Sequence, residues 1–175
     1  VLLDEAYHEF ADEEPGRLLA KYDNLIILRT FSKVFGLAGL RVGYLLGTEP
    51  MVTEIAKGQM PYNLSLLSAE ITMALLDRTE LITQRVDHVK MERVRMIAAM
   101  DRIDGIRTYP TGANFILFNT GRDAAEIARG LFDLGVMVRD VSGYPNLAGH
   151  LRVTVGETGE NDDFIDCLKS VSDST

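Results

Sequence analysis

The sequence is short of the features that announce several whole classes of protein. Cys167 is its only cysteine, so no disulfide can form within the chain. The net charge is −8 and the lysines and arginines form no basic block, which argues against a nucleic-acid partner. No apolar run approaches the ~20 residues that a membrane-spanning helix needs, and no signal peptide is visible. The three histidines, His8, His88 and His150, are too scattered to point to a metal site. There is no internal repeat, no low-complexity stretch and no linker rich in proline or serine. A cytoplasmic setting fits these absences. A starting methionine is missing too: the chain opens on Val1-Leu2-Leu3-Asp4, already inside an apolar run, and reads as a piece of a longer protein cut before a core strand.

What is present has the balance of a soluble globular protein, with 46% hydrophobic and 25% charged residues. Val1–Leu3 reads as the end of a buried strand. Leu25–Leu28 reads as a second, uniformly apolar as in a parallel sheet covered on both faces. The segment between them, with a short helical stretch near Arg17–Tyr22, is long enough for a crossover. Arg41–Leu46 reads as a third strand. Only about a dozen residues separate it from the second, the short limit for a parallel connection, so it is predicted to run antiparallel.

Helices are predicted over Pro50–Lys57, Leu66–Leu76 and Glu80–Ile103. The last carries Ile82, Val86, Val89, Met96, Met100 and Ile103 at helical spacing. At 1.5 Å per residue it would be ~36 Å long, enough to bridge two domains. The methionines of Met91–Met100 read as helix packing. Beyond it, Gly105–Tyr109, Asn114–Phe118, Val136–Arg139 and Leu151–Val155 read as strands. Asp123 caps a helix to Leu134, with Glu126 placed for a capping box and Gly135 ending it. Asn161–Val171 is a last helix. The fold class is α/β, divided near Arg78: a mostly parallel sheet in residues 1–78, then a long helix and a small α+β domain in residues 79–175.

The chemistry concentrates at the ends of the two apolar strands. One ends at Asp4; the other leads into Ser32-Lys33. In open α/β sheets ligands bind beyond the carboxyl ends of parallel strands. Neighbouring strands would therefore bring Asp4, Tyr7 and Lys33 to one crevice. A carboxylate, a phenol and an amine together suit pyridoxal phosphate. Its aldehyde condenses with an amine, its ring nitrogen wants a carboxylate, and its ring oxygen accepts a phenolic hydrogen bond. Its phosphate wants hydroxyls and an arginine, here Ser32 and Arg41.

The stretches "DEAYHEF" and "RTFSKVFGLAGLRVGY" resemble the fold-type I pyridoxal-phosphate aminotransferases, most closely the histidinol-phosphate aminotransferases. "PYNLS" (Pro61–Ser65), "GANFILF" (Gly112–Phe118), "VMVRDV" (Val136–Val141) and "LRVTVG" (Leu151–Gly156) fall in the family's order. The resemblance makes the chain the C-terminal portion of that fold: the remnant of the large cofactor-binding domain, the interdomain helix and the small domain. It implies that Lys33 is the Schiff-base lysine, that Asp4 pairs with the ring nitrogen and Tyr7 with the ring oxygen, and that Ser32 and Arg41 hold the cofactor phosphate. Pro61-Tyr62-Asn63 resembles a loop near the active site at the dimer interface. Arg152 is similar to the arginine that grips the substrate's anionic group, with Arg139 assisting it in this subunit or from the partner.

The implied reaction is ping-pong transamination from histidinol phosphate to 2-oxoglutarate, on the route to histidine, by a homodimer. In the family an earlier segment supplies a phosphate cradle and a stacking ring, so the activity is expected of a full-length parent rather than of this piece alone. Related readings remain: an aromatic or broad-specificity aminotransferase, a threonine-phosphate decarboxylase or, in another class, a non-enzymatic dimerisation or regulatory module. The residues also have ordinary structural readings. Lys33 is then a surface lysine, Asp4 a cap, Ser32 a turn residue and Arg41 an edge charge. Arg152 and Arg139 are then partners of structural carboxylates.

Overall fold

Apolar strands that differ in how much cover they have begin the chain. The computed structural model describes residues 1–12 and 15–173. Strands β1 (Leu2–Asp4) and β2 (Ile26–Thr30) run parallel, with Leu2 beside Ile26 and Asp4 beside Leu28. Strand β3 (Gly43–Leu46) lies antiparallel on the other side of β2, as the short connection requires. The crossover between β1 and β2 holds two short 3-10 turns, His8–Phe10 and Pro15–Ala20, in place of the expected helix near Arg17–Tyr22.

The expectation that β1 and β2 are buried is corrected. Ile27 is inaccessible, but Leu2 is 62% exposed and Ile26 and Leu28 are half-buried. Among the described residues β1 pairs with β2 alone, so its apolar residues are covered from fewer sides. In this unit Phe10, Leu25, Ile27, Phe31, Val34 and Val42 are all buried.

Three helices follow: α1 (Glu49–Ala56), α2 (Leu66–Leu76) and α3 (Thr79–Met100). α2 is mostly apolar, and its apolar residues are spread around the helix and not gathered on one face. Here it buries Ser68 and Thr72 and turns Leu66, Leu67 and Met73 outward. Thr72 makes the polar burial tolerable by donating its hydroxyl to the Ser68 carbonyl at 2.7 Å.

The chain divides into two compact units, Val1–Val86 and Asp87–Thr175. The division falls inside α3, eight residues beyond Arg78, near which the sequence reading sets it, before or within the long helix.

The second unit adds strands β4 (Arg107–Thr108) and β5 (Phe115–Asn119), helix α4 (Ala124–Asp133), strands β6 (Arg139–Asp140) and β7 (His150–Thr154), and helix α5 (Thr158–Asp173). Its sheet has the order β4-β5-β7-β6, antiparallel throughout. Ile116, Phe118, Leu151 and Val153 alternate onto one face and pack on Met96, Met100, Ile127, Leu131, Phe164 and Leu168.

Met96 and Met100 are thus core residues, while Met91 is exposed. Asp123 caps α4 by accepting from the Ala125 N–H, and Glu126 engages Arg122 at 3.2 Å. Strand β6 begins at Arg139 and not at Val136. The reason is the end of α4. Gly135, at φ 88°, and Val136 donate back to the carbonyls of Phe132 and Leu131, a helix stop that keeps Val136 off the ladder.

Two charged residues that look solvent-facing in the α3 pattern, Glu92 and Arg93, are buried. Glu92 accepts from Arg95 and from Asn161 Nδ2, and Arg95 also reaches Asp162, so α3 is bound to α5 by a closed polar network. The Arg95 guanidinium, seconded by Asn161, outweighs burial and holds the Glu92 carboxyl down at about 2.

Candidate active site

The carboxyl end of the β1–β2 pair opens onto a cleft of about 980 Å³ within the first unit. Asp4, Ser32, Lys33 and Arg41 all line it. Parallel pairing is what brings them there. The register sets Asp4 beside Leu28, and β2 continues through Thr30 into the turn that bears Ser32 and Lys33. Asp4 is exposed at the strand end, and its Oδ1 accepts the Ala6 N–H at 3.0 Å, which orients the carboxylate. Lys33 is half-buried, and its Nζ lies 4.9 Å from the centre of the Tyr7 ring, a cation–π contact. Tyr7 thus stands beside the lysine, but it is not among the residues that line the cleft.

Ser32 is fixed by Thr30. The Ser32 N–H donates to Thr30 Oγ1 at 3.1 Å, and the Thr30 hydroxyl donates to Ser32 Oγ at 2.9 Å. Both residues line the cleft. Arg41 departs from expectation in its backbone. It is not the head of a strand; it sits just before β3 in the left-handed region, at φ 58° and ψ 38°, and its Nη1 donates to the Ala38 carbonyl. A non-glycine residue there is strained by roughly 1 kcal/mol or more, a kind of strain that gathers at ligand-holding positions. Of the Pro61-Tyr62-Asn63 loop, Asn63 lines the cleft and Tyr62 is wholly exposed.

Sequence reasoning did not find the rest of the wall. Thr30, Val52, Ile55, Ala56 and Gln59 line the cleft, the last four from α1 and the loop after it. Arg29 lines the cleft as well, and its Nε donates to Glu5 Oε2 at 2.9 Å, with Glu5 buried. Burial works against the Arg29 charge, but hydrogen bonds with Tyr44 and Glu5 outweigh it and hold its pKa above the usual guanidinium value. An arginine inside an apolar strand needs a partner, and that was the signal available for this pair.

The second unit carries the two arginines. Arg139 and Arg152 are direct cross-strand partners on β6 and β7. The Arg152 guanidinium lies 4.8 Å from the centre of the Phe115 ring, and its Nε is buried with no hydrogen-bond partner among the described residues. The structural-carboxylate reading of Arg152 has no support in these contacts. Asp140, the neighbour of Arg139 in the chain, is held chiefly by the Ser142 hydroxyl and N–H, and the Arg139 charge adds to them in keeping its carboxyl below the usual range.

Comparison with known proteins gives the family. Residues 1–168 match the model of aminotransferase class I and II. This chain belongs to the class I and II aminotransferases. Such enzymes work with pyridoxal phosphate, and their fold is the fold-type I architecture that the sheet and helices here reproduce in part.

The histidinol-phosphate aminotransferase of Thermoanaerobacter sp. (strain X514) is 40% identical over 171 residues, 98% of this chain and 48% of that protein. Among solved structures, the histidinol-phosphate aminotransferase of Sinorhizobium meliloti in complex with pyridoxal-5'-phosphate superposes with a TM-score of 0.88 at 28% identity, over 99% of this chain and 48% of that one. The L-threonine-O-3-phosphate decarboxylase of Porphyromonas gingivalis gives 0.86 at 26% identity, over 97% and 54%. The chain thus spans about half the length of the relatives it matches. Among the described residues no helix is long and apolar enough to cross a membrane.

Proposed function

We propose that the protein transfers an amino group with pyridoxal phosphate, taking it from histidinol phosphate and passing it to 2-oxoglutarate, as a homodimer. The observation that carries the cofactor part is the meeting of Asp4, Ser32, Lys33 and Arg41 in one cleft. That donor set fits the group: an amine for the aldehyde, a carboxylate for the ring nitrogen, and a hydroxyl with a guanidinium for the phosphate. Bound pyridoxal phosphate supplies an electron sink for charge that develops on the substrate carbon.

The chain's own residues do the remainder. Lys33 would hold the cofactor covalently and, as the free amine, would take the proton from the substrate carbon and later give it back. The contact with Tyr7 would give the ammonium formed by that proton transfer a place to rest beside the reaction. Asp4 keeps the ring nitrogen protonated, because a carboxylate favours a neighbouring cation. Ser32, already oriented by Thr30, and Arg41 anchor the phosphate.

Arg152, with an unpartnered buried Nε and with Arg139 opposite, fits a substrate that carries an anionic group and leaves the pair without one in its absence. Histidinol phosphate has no α-carboxylate, so its phosphate takes that place. The likeness to the threonine-phosphate decarboxylase favours one second reading, a decarboxylase acting on a phosphorylated amino acid.

The test is to reduce the protein with borohydride in the presence of pyridoxal phosphate, map the labelled residue, and follow the half-reaction with histidinol phosphate, phenylalanine and threonine phosphate. A label at Lys33 with turnover of histidinol phosphate is expected. A label elsewhere sinks the site, and carbon dioxide release from threonine phosphate establishes the second reading.

A further inference from the structure

The turn that carries Lys33 is fastened from outside the cleft. Arg85, on α3, donates its Nη1 to two successive carbonyl oxygens, those of Val34 at 3.3 Å and Phe35 at 3.1 Å. These belong to the two residues directly after Lys33. The turn closes on itself through Gly36 N–H to the Lys33 carbonyl at 2.9 Å and Leu37 N–H to the Phe31 carbonyl at 3.0 Å. Gly36 has φ 72°, and a Cβ on it would come within 3.4 Å of Arg85 Nη1, so glycine provides both the backbone geometry and the room for the guanidinium. On the other side, the Ser32 N–H is held by Thr30 and the Phe31 N–H by the Val42 carbonyl. Lys33 is therefore gripped from both flanks, and 51 residues of chain separate it from the group that grips its far side.

We infer that Arg85 is a positioning residue for the Lys33 amine. By holding the carbonyls of Val34 and Phe35 it fixes the backbone orientation after Lys33, and so the direction from which the amine enters the cleft. The inference rests on the reading of Lys33 as the cofactor lysine. Arg85 does not line the cleft; its influence passes through the peptide groups it binds. Two adjacent carbonyls turned the same way concentrate negative charge, and a guanidinium answers them with charge-assisted hydrogen bonds that water would make less rigidly. A nucleophile must approach its target atom along a defined line, and small misplacements cost rate steeply.

The experiment compares wild type with Arg85→Ala and Arg85→Lys. Three quantities are read on the protein freed of cofactor: amide hydrogen exchange over residues 34–37, the thermal midpoint, and the second-order rate at which added pyridoxal phosphate becomes attached to Lys33, trapped with borohydride and mapped by mass spectrometry. In Arg85→Ala, exchange at Gly36 and Leu37 should rise about tenfold while exchange in β2 stays put. Attachment at Lys33 should slow about tenfold with the midpoint little changed. Arg85→Lys, which keeps the charge and three donors, should recover part of the rate.

A merely structural arginine would move the midpoint and leave the attachment rate alone. Attachment at the wild-type rate in Arg85→Ala overturns the inference. If Arg85→Ala does not fold, Arg85→Gln takes its place under the same criterion. Failure of wild type itself to form a trapped adduct at Lys33 overturns the cofactor reading and this inference together. An adduct in wild type with no change in the variant overturns this inference alone.

Discussion

Arg139 and Arg152 stand directly opposite one another on neighbouring antiparallel strands. Side chains at such positions share a face, and like charges there repel. If the proposed substrate anion lies between them, the pair is a cost that binding relieves.

That relation predicts the effect of removing one charge. Arg139→Leu should stabilise the protein by about 0.2–1 kcal/mol, the value of a cross-strand pair, and should abolish most of the stabilisation that millimolar phosphate gives wild type. Thermal midpoints with and without phosphate measure both. A variant that responds to phosphate like wild type would show that the anion sits elsewhere.

Arg152→Lys keeps the charge but loses the planar fork. A charged hydrogen bond is worth ~1.5–3 kcal/mol, so kcat/KM for histidinol phosphate should fall by roughly one to two powers of ten. The cofactor spectrum should stay normal, because Asp4, Lys33 and Arg41 are untouched. Undiminished kcat/KM in the variant refutes the assignment of Arg152 to the substrate.

Asp4→Asn should leave the strand pairing intact, since its side chain is exposed at the end of β1. An amide cannot keep the ring nitrogen protonated, so the isolated proton-transfer step should slow by several powers of ten while cofactor remains bound. Single-turnover kinetics read the step directly, and an unchanged rate would remove Asp4 from the mechanism.

Glu92 gives a pH dependence whose sign is fixed. Its pKa is about 2 in the folded chain against an ordinary value of 4.5, lowered first by Arg95 and then by Asn161. Folding thus favours the ionised form. The stability this provides is complete above about pH 4.5 and is lost as the pH falls from there towards 2. Glu92→Gln should cost about 1–3 kcal/mol at neutral pH, because Arg95 and Asn161 lose a charged acceptor. Its urea midpoint should also fall less steeply than wild type between pH 4.5 and 2. Parallel curves for the two proteins would contradict the assignment.

Gly43→Ala should destabilise the first unit. A Cβ at Gly43 would come 2.9 Å from the Arg29 carbonyl, which is backbone on the paired strand and has little freedom to withdraw. Overpacking of this kind costs about 1–3 kcal/mol, read as a shift in the denaturant midpoint with unchanged slope. A neutral result would mean that β2 and β3 separate more easily than their pairing implies.

Much of this was legible in the sequence because the decisive signals are local. The dozen or so residues before β3 decide its direction, and the two apolar strands, read as neighbours, already bring Asp4 and Lys33 to one cleft. What was not legible depends on partners distant in sequence. Glu92 looks like a solvated charge in the α3 pattern until Arg95, Asn161 and Asp162 close around it. Arg41 reads as a strand residue because nothing in its neighbours announces a left-handed backbone. Leu2 reads as core because hydrophobicity reports a preference for cover and not how many neighbours a strand has. Arg85 has no sequence signal at all; only the fold brings it to Val34 and Phe35.

The reversal of direction between β2 and β3 also makes the loop that joins them a counted length. Phe31 and Val42 close it with a backbone hydrogen bond, and Thr30 is in register with Gly43. Lys33 and Arg41 owe their common cleft to that count. Deleting or inserting a single residue between them would shift β3 by one place against β2, and with a side-chain period of two it would turn every β3 side chain to the opposite face. Gly43 would no longer sit against the Arg29 carbonyl, and a residue with a side chain would take its place. Substitutions in this loop are graded in their effect, but changes of its length are all-or-none, so natural variation here should take the form of exchanged residues and not of gaps.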